Sequence, residues 1–240
     1  MIYFSICTRG DYKSNKTLQS LLTFSNNAHY HSYPMVSMAY DVAVDAKSIY
    51  EGHKSNLAKV DLEDDDIVVF VHDDVEILST PNKFSKFIEI AQKPSVGFVG
   101  VAGATKFDNG AWWTARNSKE TRGFVWQGSE DTTMTPNYFG DSGQVVVLDG
   151  CLMAATYKVV KAVGLEQPDY LSSGWDFYDI HLSLTAHLKG LSNFVVPIQI
   201  RHESRGEMRE GWYKSKEEFL KKWRSDLPCR IPANKTVGLP

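Results

Sequence analysis

The sequence predicts an α/β protein with a mostly parallel central sheet flanked by helices, joined to a smaller region of mixed structure. Apolar runs of strand length alternate with helical patterns in the amino-terminal half, which is typical of a wound parallel sheet. The run Ile67–Val71 contains only β-branched and aromatic residues, as a strand buried on both faces requires. The segment Gly103–Gly143 is instead rich in glycine, tryptophan, threonine and asparagine, which favours an active-site meander over packed helices.

The elements of the amino-terminal half follow from caps, turn residues and apolar spacing. Ser14 is placed to cap the first helix, and Tyr40-Asp41 interrupts an otherwise strand-like second run. The predicted elements are strand Ile2–Cys7, loop Thr8–Asp11, a helix from Ser14 to about Phe24, strand Met35–Val44, helix Asp45–Val60, strand Ile67–Val71, helix Lys83–Ala91 and strand Val96–Val101.

The carboxy-terminal half contains fewer regular patterns. Pro197 interrupts one apolar run, which indicates a strand at a sheet edge, and Ser215 and Glu218 have the spacing of a capping box. The predicted elements are strand Gln144–Leu148, helix Asp176–Leu188, strand Phe194–Ile200, helix Ser215–Trp223 and a loose tail over residues 232–240.

Length, charge and cysteine content narrow the class of protein. A chain of 240 residues can form one large domain, and a net charge of −3 gives no reason to expect a nucleic-acid partner. The apolar runs are too short for a transmembrane helix, and the first residues lack the basic leader and cleavage site of a signal peptide. Cys7, Cys151 and Cys229 lack CxxC spacing, so we expect a reduced, cytoplasmic protein without disulfides or a zinc site.

The most informative motif is His72-Asp73-Asp74, which directly follows the buried strand. Ligands of open α/β sheets bind beyond the carboxyl ends of the strands, and adjacent carboxylates there suit a hard divalent ion that also holds phosphate oxygens. The same residues would also suit a solvated turn or the cap of a following helix, and a lone histidine is more often structural.

Asp176 and Asp179 lie at the predicted start of a helix. Asp176 is placed to be the N-cap and Asp179 to lie in the first turn, where free amides and the helix dipole favour carboxylates. If Asp179 were a general base, those amides would lower its pKa, whereas desolvation by the neighbouring aromatic residues would raise it. We therefore expect Asp176 to cap the helix, and the residues themselves leave the role of Asp179 open.

Two further features could complete a site. His202 follows a predicted strand and would alone be structural, but beside Asp74 it would join imidazole to carboxylate, a combination that suits Mn²⁺ better than Mg²⁺. Trp112, Trp113 and Trp126 lie in the glycine-rich segment. Exposed indole faces stack on sugar rings, although packing of a loop onto the sheet is the commoner role of a tryptophan.

In their order and spacing, these motifs resemble family 2 glycosyltransferases of the GT-A fold, a nucleotide-diphospho-sugar transferase fold. They are most similar to the subgroup with a strand-end motif of the His-Asp/Gln-Asp-Val type. The resemblance spans roughly Val68 to Trp223. The matching pieces are Val68–Val75, Val99–Gly103, Ala111–Trp113, Leu148–Ala154, Phe177–Leu184 and Arg201-His202.

The resemblance implies a site residue by residue. Asp74 corresponds to the last carboxylate of the DxD motif, which binds Mn²⁺ or Mg²⁺, and His202 to a histidine that completes the metal site. Asp179 corresponds to the aspartate of the ED motif, the general base, for which a carboxylate of near-normal pKa would suffice. Donor contacts are implied at Thr8, Arg9, His72, Asp73, Asp74, Asp149 and Gly150, and acceptor contacts at Trp112, Trp113, Trp175 and Asp176.

The implied activity is metal-assisted transfer of a sugar, with inversion, from a nucleotide-sugar donor to a hydroxyl group of a sugar or glycolipid acceptor, in polysaccharide or glycoconjugate synthesis. The resemblance also implies a single catalytic domain over residues 1–231, with a nucleotide-sugar half at 1–102 and an acceptor-side half at 103–231. Peripheral membrane association would require a surface patch or a partner. The motifs predict neither the nucleotide nor the oligomeric state.

Three residues depart from the family pattern. His72 stands where the first DxD aspartate would be, Tyr178 where the ED glutamate would be, and His181 where a second helix aspartate is common. These departures favour the alternative of a non-catalytic carbohydrate- or nucleotide-binding module of the same fold. A metal-dependent hydrolase that uses His72–Asp74 and His202 as a cage is a third hypothesis, but it gives the tryptophan segment no role.

Overall fold

A computed structural model describes residues 1–9, 15–30, 37–128, 133–204, 206, 208–231 and 239–240 of the chain. Four sequence predictions lie wholly or partly outside these residues. They are the loop beyond Arg9, the Ser14 cap, the start of the Met35–Val44 strand and most of the 232–240 tail.

Fifteen strands lie within the described residues. In chain order they are β1 (Ile2–Thr8), β2 (Met38–Val44), β3 (Ile67–His72), β4 (Val75–Ile77), β5 (Val96–Gly100), β6 (Ala102–Ala104), β7 (Lys106–Phe107), β8 (Thr121–Gln127), β9 (Thr135–Gly140), β10 (Gly143–Val145), β11 (Val147–Leu148), β12 (Leu152–Thr156), β13 (Ser192–Val195), β14 (Ile200–His202) and β15 (Cys229–Arg230).

Six α-helices accompany these strands in the described part of the chain, together with a 3₁₀ segment at Trp112–Ser118. The helices are α1 (Lys16–Tyr30), α2 (Ile49–Leu57), α3 (Pro81–Ala91), α4 (Tyr157–Val163), α5 (Tyr178–Leu188) and α6 (Glu210–Lys222). Among the residues described, no helix has both the length and the apolar character that crossing a bilayer requires.

Seven strands form the central sheet, in the order β10-β13-β5-β12-β3-β1-β2. Five of them run in one direction, whereas β12 and β10 run antiparallel to their neighbours, so the predicted mostly parallel sheet is confirmed. Ile67–Val71 in β3 is at most 1 % exposed, and its odd- and even-numbered residues pack in two different core clusters. Successive side chains of a strand point to opposite faces, so both faces of the sheet are covered, as the apolar run predicts.

The carboxyl ends of β1 and β3 meet at one edge of the central sheet. Their parallel register pairs Cys7 with His72, so the residues after each strand emerge side by side. Thr17, in α1, fixes the turn after β3, because its hydroxyl group donates to the His72 carbonyl at 2.6 Å and accepts from the Val75 N–H at 2.8 Å. The turn that carries the acidic motif is therefore held from both of its ends.

A second sheet has the strand order β11-β6-β8-β14-β4, and β9 pairs with β8. Strands β8 and β9 and most of β6 come from the Gly103–Gly143 segment, which thus forms a meander. The short strands β4 and β14 pair in antiparallel fashion, with His202 opposite Val75. This pairing brings His202 beside the turn that follows β3.

The prediction that Pro197 marks an edge strand is wrong. Phe194 lies in β13, which sits between β10 and β5 inside the central sheet, whereas Ile200 begins β14 in the second sheet. Pro197 lies between these strands, where the chain passes from one sheet to the other. A residue without an N–H donor is tolerated there because neither ladder needs a hydrogen bond from it.

The capping box predicted at Ser215 and Glu218 is also wrong. Helix α6 begins at Glu210, and Ser215 is fully buried inside it. The Glu218 carboxylate instead accepts from the Ser172 N–H at 2.9 Å. A Ser-x-x-Glu spacing also occurs within helices, so it marks a helix start only where no helical turn precedes it.

The central sheet takes strands from both sides of residue 102. Strand β12 lies between β3 and β5, although it follows both of them in the chain. Neither β12 nor α4 is predicted by the sequence, because a short apolar run such as Leu152–Ala155 fits a buried helix as well as a strand. The division at residue 102 and the single domain over 1–231 stay predictions.

Asn193 joins several buried parts of the fold. Its Oδ1 accepts from the Phe98 N–H at 2.9 Å, and its Nδ2 donates to the Val146 and Ser183 carbonyls at 2.8 and 2.7 Å. The side chain is fully buried and lies where the register between β5 and β13 shifts. The amide therefore satisfies the Phe98 N–H in this irregular ladder and ties β5 to the segment between β10 and β11 and to α5.

We predict that Asn193→Ala lowers the free energy of unfolding by about 3 kcal/mol, since three buried hydrogen bonds to the backbone are lost. Urea unfolding followed by circular dichroism measures this change. Asn82→Ala, at an exposed position of α3, should change the free energy by less than about 0.5 kcal/mol. Equal effects of the two substitutions would contradict the role given to Asn193.

Candidate active site

Three predicted site residues, His72, Asp74 and His202, converge at the carboxyl edge of the central sheet. His72 ends β3, Asp74 lies in the following turn, and His202 ends β14. His202 Nε2 lies 3.3 Å from Asp74 Oδ1 and 3.5 Å from His72 Nδ1. One potential ligand atom from each residue lies within 4.8 Å of the other two. We call this group the His-Asp-His cluster.

The charges within the His-Asp-His cluster stabilise one another. Burial acts to raise the pKa of Asp74, but the contacts with His202 and His72 outweigh it and lower the pKa to about 2. Burial likewise acts to lower the pKa of His202, yet the Asp74 carboxylate raises it above its ordinary value. The pKa of His72 is lowered by burial and by His202. Asp74 is therefore an anion at neutral pH, beside an imidazole that stays neutral.

The residues of the cluster fit a divalent metal ion. Asp74 Oδ1 is buried, and its contact with His202 Nε2 at 3.3 Å lacks hydrogen-bond geometry, so a further group that binds this oxygen would stabilise the carboxylate. Two imidazole nitrogens accompany this oxygen, and such a mixed donor set suits Mn²⁺ better than Mg²⁺. The family resemblance implies Asp74 and His202 as ligands, and the geometry adds His72.

Thr8, Arg9 and Asp73 were also predicted to contact the donor, but they are not members of the His-Asp-His cluster. The Thr8 hydroxyl group donates to Asp73 Oδ2, which ties β1 to the turn after β3. The Arg9 guanidinium carbon lies 4.0 Å from the ring centroid of Trp175, within the range of a cation–π interaction. Arg9, predicted on the donor side, therefore contacts a residue predicted on the acceptor side.

The prediction that Asp176 caps α5 is wrong. The N-cap is Phe177, whose backbone is in the left-handed region at φ 63°. Its ring packs against Trp212 and Phe219, with centroids 5.4 and 5.3 Å apart, and this packing holds a backbone conformation that is otherwise unfavourable for an aromatic residue. Asp176 lies before the cap and accepts from Ser173 Oγ at 3.0 Å.

Asp179 lies in the first turn of α5 with both carboxylate oxygens hydrogen-bonded. Oδ1 accepts from the Ile180 N–H and Oδ2 from the Gly150 N–H, each at 2.8 Å. Burial and the charge of Asp149 outweigh these hydrogen bonds and raise the pKa of Asp179 to about 7. Desolvation therefore prevails over the backbone amides, which settles the balance that the residues alone left open. A carboxylate with a pKa near neutrality is well matched to general base catalysis.

Two adjoining hollows open beside the cluster and the start of α5. The smaller, of about 180 Å³, contains Asp179 and His72 in its lining, and the larger, of about 410 Å³, contains Phe139 and Met208. The residues that line both hollows are Trp112, Trp113, Asp149, His202 and Trp212. Asp179 and the two imidazoles of the cluster therefore face the same space.

Asp74 itself lines neither hollow but borders a groove of about 800 Å³, where Lys16, Arg201 and Glu203 lie. The charges there are paired, because Lys16 and Arg201 both contact Glu203, and Arg201 also contacts Glu76 at 3.2 Å. Asp179 does not border this groove. The chemistry is therefore assigned to the two adjoining hollows.

The predicted acceptor residues border the hollows to different extents. Trp113 is half-buried on the shared wall. Trp112 is only 4 % exposed and packs its ring against Trp113 and Phe139. Trp175 and Asp176 border the smaller hollow. The tryptophan segment thus serves both packing and the lining of the site.

Trp212, Gln127 and Asn137 line the site without having been predicted. The Trp212 ring lies 5.5 Å from that of Trp113, and Asn137 Nδ2 donates to Gln127 Oε1 at 2.8 Å in the larger hollow. The seven-residue spacing of Trp212 and Phe219 places both on one helix face and could have indicated Trp212. No sequence signal marks the amide pair, because β8 and β9 bring it together.

His181, a departure from the family pattern, has a structural explanation. Its Nδ1 forms a hydrogen bond of 2.7 Å with the Tyr170 hydroxyl group, whose oxygen accepts from Trp223 Nε1 at 2.9 Å. Burial lowers the pKa of His181 to about 4, so the ring is neutral. His181 borders neither hollow.

Comparison with known proteins agrees with this architecture. Residues 35–223 match the family described as glycosyltransferase-like, whereas no curated protein matches the chain. Among solved structures, the crystal structure of GalNAc-T7 with UDP, GalNAc and Mn²⁺ is similar, with a TM-score of 0.57 and 11 % sequence identity. The match covers 93 % of this chain and 47 % of GalNAc-T7, so the chain spans about half the length of that protein. The predicted GT-A glycosyltransferase fold is confirmed, and the chain belongs to the glycosyltransferase-like family.

Proposed function

We propose that the protein transfers a sugar, with inversion and with the help of a metal ion, from a nucleotide-sugar donor to a hydroxyl group of an acceptor. The observation that carries the proposal is that Asp179, His72 and His202 line one hollow. A reaction between two substrates needs such a place, because holding the reacting groups together supplies much of the rate. Family membership supports glycosyl transfer as the general activity.

The His-Asp-His cluster would hold the metal ion through His72, Asp74 and His202. When bound, Mn²⁺ or Mg²⁺ supplies positive charge to the oxygens of the departing nucleoside diphosphate. The similar GalNAc-T7 structure contains UDP and Mn²⁺, which supports this assignment. The donor would extend along the same sheet edge past Thr8 and Arg9.

The acceptor would occupy the two adjoining hollows, with a sugar ring against Trp113 and Trp212. Asp179 takes the proton of the acceptor hydroxyl group as its oxygen forms a bond to the anomeric carbon. The bond from that carbon to the diphosphate breaks on the opposite face, which inverts the configuration. The aromatic walls exclude water, whose attack would consume the donor. Such a site suits a sugar or glycolipid acceptor, and we place the reaction in polysaccharide or glycoconjugate synthesis.

The rate of transfer should rise with pH up to about 7 and then level off. Asp179 accepts a proton only when it is ionised, and burial together with Asp149 raises its pKa to about 7. With saturating donor and metal, a plot of log kcat/KM for the acceptor against pH should have a slope near one below that value. A limb centred near pH 4, the ordinary range of an aspartate, would contradict the raised pKa.

A panel of nucleoside diphosphates and nucleotide-sugars, with and without Mn²⁺, tests the proposed function. A thermal shift with diphosphates of one base identifies the donor class, and diphosphate release that depends on an added oligosaccharide demonstrates transfer. A binding module would bind the donor without releasing diphosphate, and a hydrolase would release it without an acceptor. Either result would overturn the proposal. The anomeric configuration of the product, observed by NMR, tests inversion.

A further inference from the structure

We propose that Tyr178 is a positioning residue that holds His72 in the tautomer able to bind the metal ion. This inference rests on the metal site of the proposed function. Tyr178 is the first residue of α5 and is 3 % exposed. The family that the sequence resembles has a glutamate at this position. The role of Tyr178 is therefore inferred from its contacts in this structure.

The hydrogen bonds of the Tyr178 hydroxyl group determine where its proton lies. The oxygen is 2.7 Å from the Gly150 carbonyl oxygen and 3.1 Å from His72 Nε2. A carbonyl oxygen can only accept, so the single phenol proton is donated to Gly150. A phenol keeps its proton at neutral pH. Towards His72 the oxygen can then only accept, and His72 must carry a proton on Nε2.

A proton on Nε2 leaves the lone pair of His72 on Nδ1. This nitrogen faces the cluster, 3.5 Å from His202 Nε2. A neutral imidazole is the form that binds metal ions, and a ligating histidine almost always donates its other ring N–H to a partner that fixes its tautomer and orientation. Tyr178 supplies that partner, and the Gly150 carbonyl in turn orients Tyr178.

Tyr178 and Asp179 both form hydrogen bonds with the backbone of Gly150. Its carbonyl accepts from the Tyr178 hydroxyl group, and its N–H donates to Asp179 Oδ2. A Cβ atom at position 150 would lie 2.4 Å from the Tyr178 hydroxyl oxygen, too close for any residue other than glycine. The metal ligand His72 and the base Asp179 are therefore positioned through the same residue.

Tyr178→Phe removes the hydroxyl group and keeps the ring. We expect the affinity for Mn²⁺ alone, measured by isothermal titration, to fall about 10- to 100-fold. Tyr170→Phe is the matched control, because the Tyr170 hydroxyl group also bonds a histidine, His181, which is not a member of the cluster. This control should keep the wild-type affinity. Wild-type affinity in Tyr178→Phe would overturn the inference.

The tautomer of His72 can also be observed without a variant. In metal-free protein labelled with ¹⁵N-histidine, long-range ¹H–¹⁵N NMR spectra should show His72 protonated on Nε2, and Tyr178→Phe should show a mixture of tautomers. Protonation of wild-type His72 on Nδ1 would overturn the inference even if the variant did not fold. Absence of Mn²⁺ binding by the wild type would overturn the proposed metal site and this inference together, whereas unchanged binding by Tyr178→Phe overturns the inference alone.

Discussion

Asp179→Asn should lower kcat for sugar transfer by about 10²- to 10⁴-fold, the usual contribution of a general base. The asparagine side chain has nearly the same shape as aspartate but cannot take up the proton of the acceptor. The KM for the donor and the affinity for Mn²⁺ should stay close to the wild-type values, since Asp179 is not a member of the His-Asp-His cluster. Steady-state kinetics with one donor and one acceptor measures the change.

Two controls distinguish loss of the base from loss of structure. Asp169→Asn replaces an exposed carboxylate in the loop before α5 and should keep full activity. The residual rate of Asp179→Asn should no longer rise towards pH 7, because the group with the raised pKa is gone. Transfer by Asp179→Asn at a near-wild-type rate would remove Asp179 from this role.

His202→Ala should abolish Mn²⁺ binding at concentrations that saturate the wild type, and sugar transfer with it. The substitution removes one of the three proposed ligands. At a Mn²⁺ concentration 100-fold above Kd, binding stabilises the wild type by about 2.7 kcal/mol. For a chain of this size, that corresponds to a rise in Tm of about 5 to 10 °C. Thermal unfolding with and without Mn²⁺ should show this rise in the wild type and none in the variant.

His187→Gln is the matched control for the metal experiment. His187 is half-buried near the end of α5 and is not a member of the cluster, so the variant should keep the full Mn²⁺-dependent rise in Tm. A chelator should remove that rise from the wild type. An equal rise in His202→Ala would place the metal ion elsewhere and contradict the proposed site.

The central strand and its polar end could be predicted because both depend on local sequence. A run such as Ile67–Val71 can be stable only with both faces covered, and in an α/β sheet its carboxyl end then faces the ligand-binding edge. Strands β4 and β14 could not be predicted in this way. Each has three residues, and their pairing depends on contacts between segments distant in the chain.

The roles within the site depend on tertiary contacts that no motif contains. Asp73 and Asp74 are adjacent in sequence, yet Asp73 accepts from Thr8 while Asp74 joins the cluster. Local sequence shows two opposing effects on the pKa of Asp179 but not their sizes, and the burial and the charge of Asp149 that settle the outcome come from the fold. The sequence could therefore indicate which residues come together more reliably than which contacts each one makes.

The His-Asp-His cluster takes its histidines from different layers of the protein. His72 ends a strand of the central sheet and His202 ends a strand of the second sheet, so the cluster exists only while the two layers are docked. Local separation of the two sheets at this cluster and loss of a bound ion would consequently be one event. The contacts that keep the two sheets together would then also set how long such an ion stays bound.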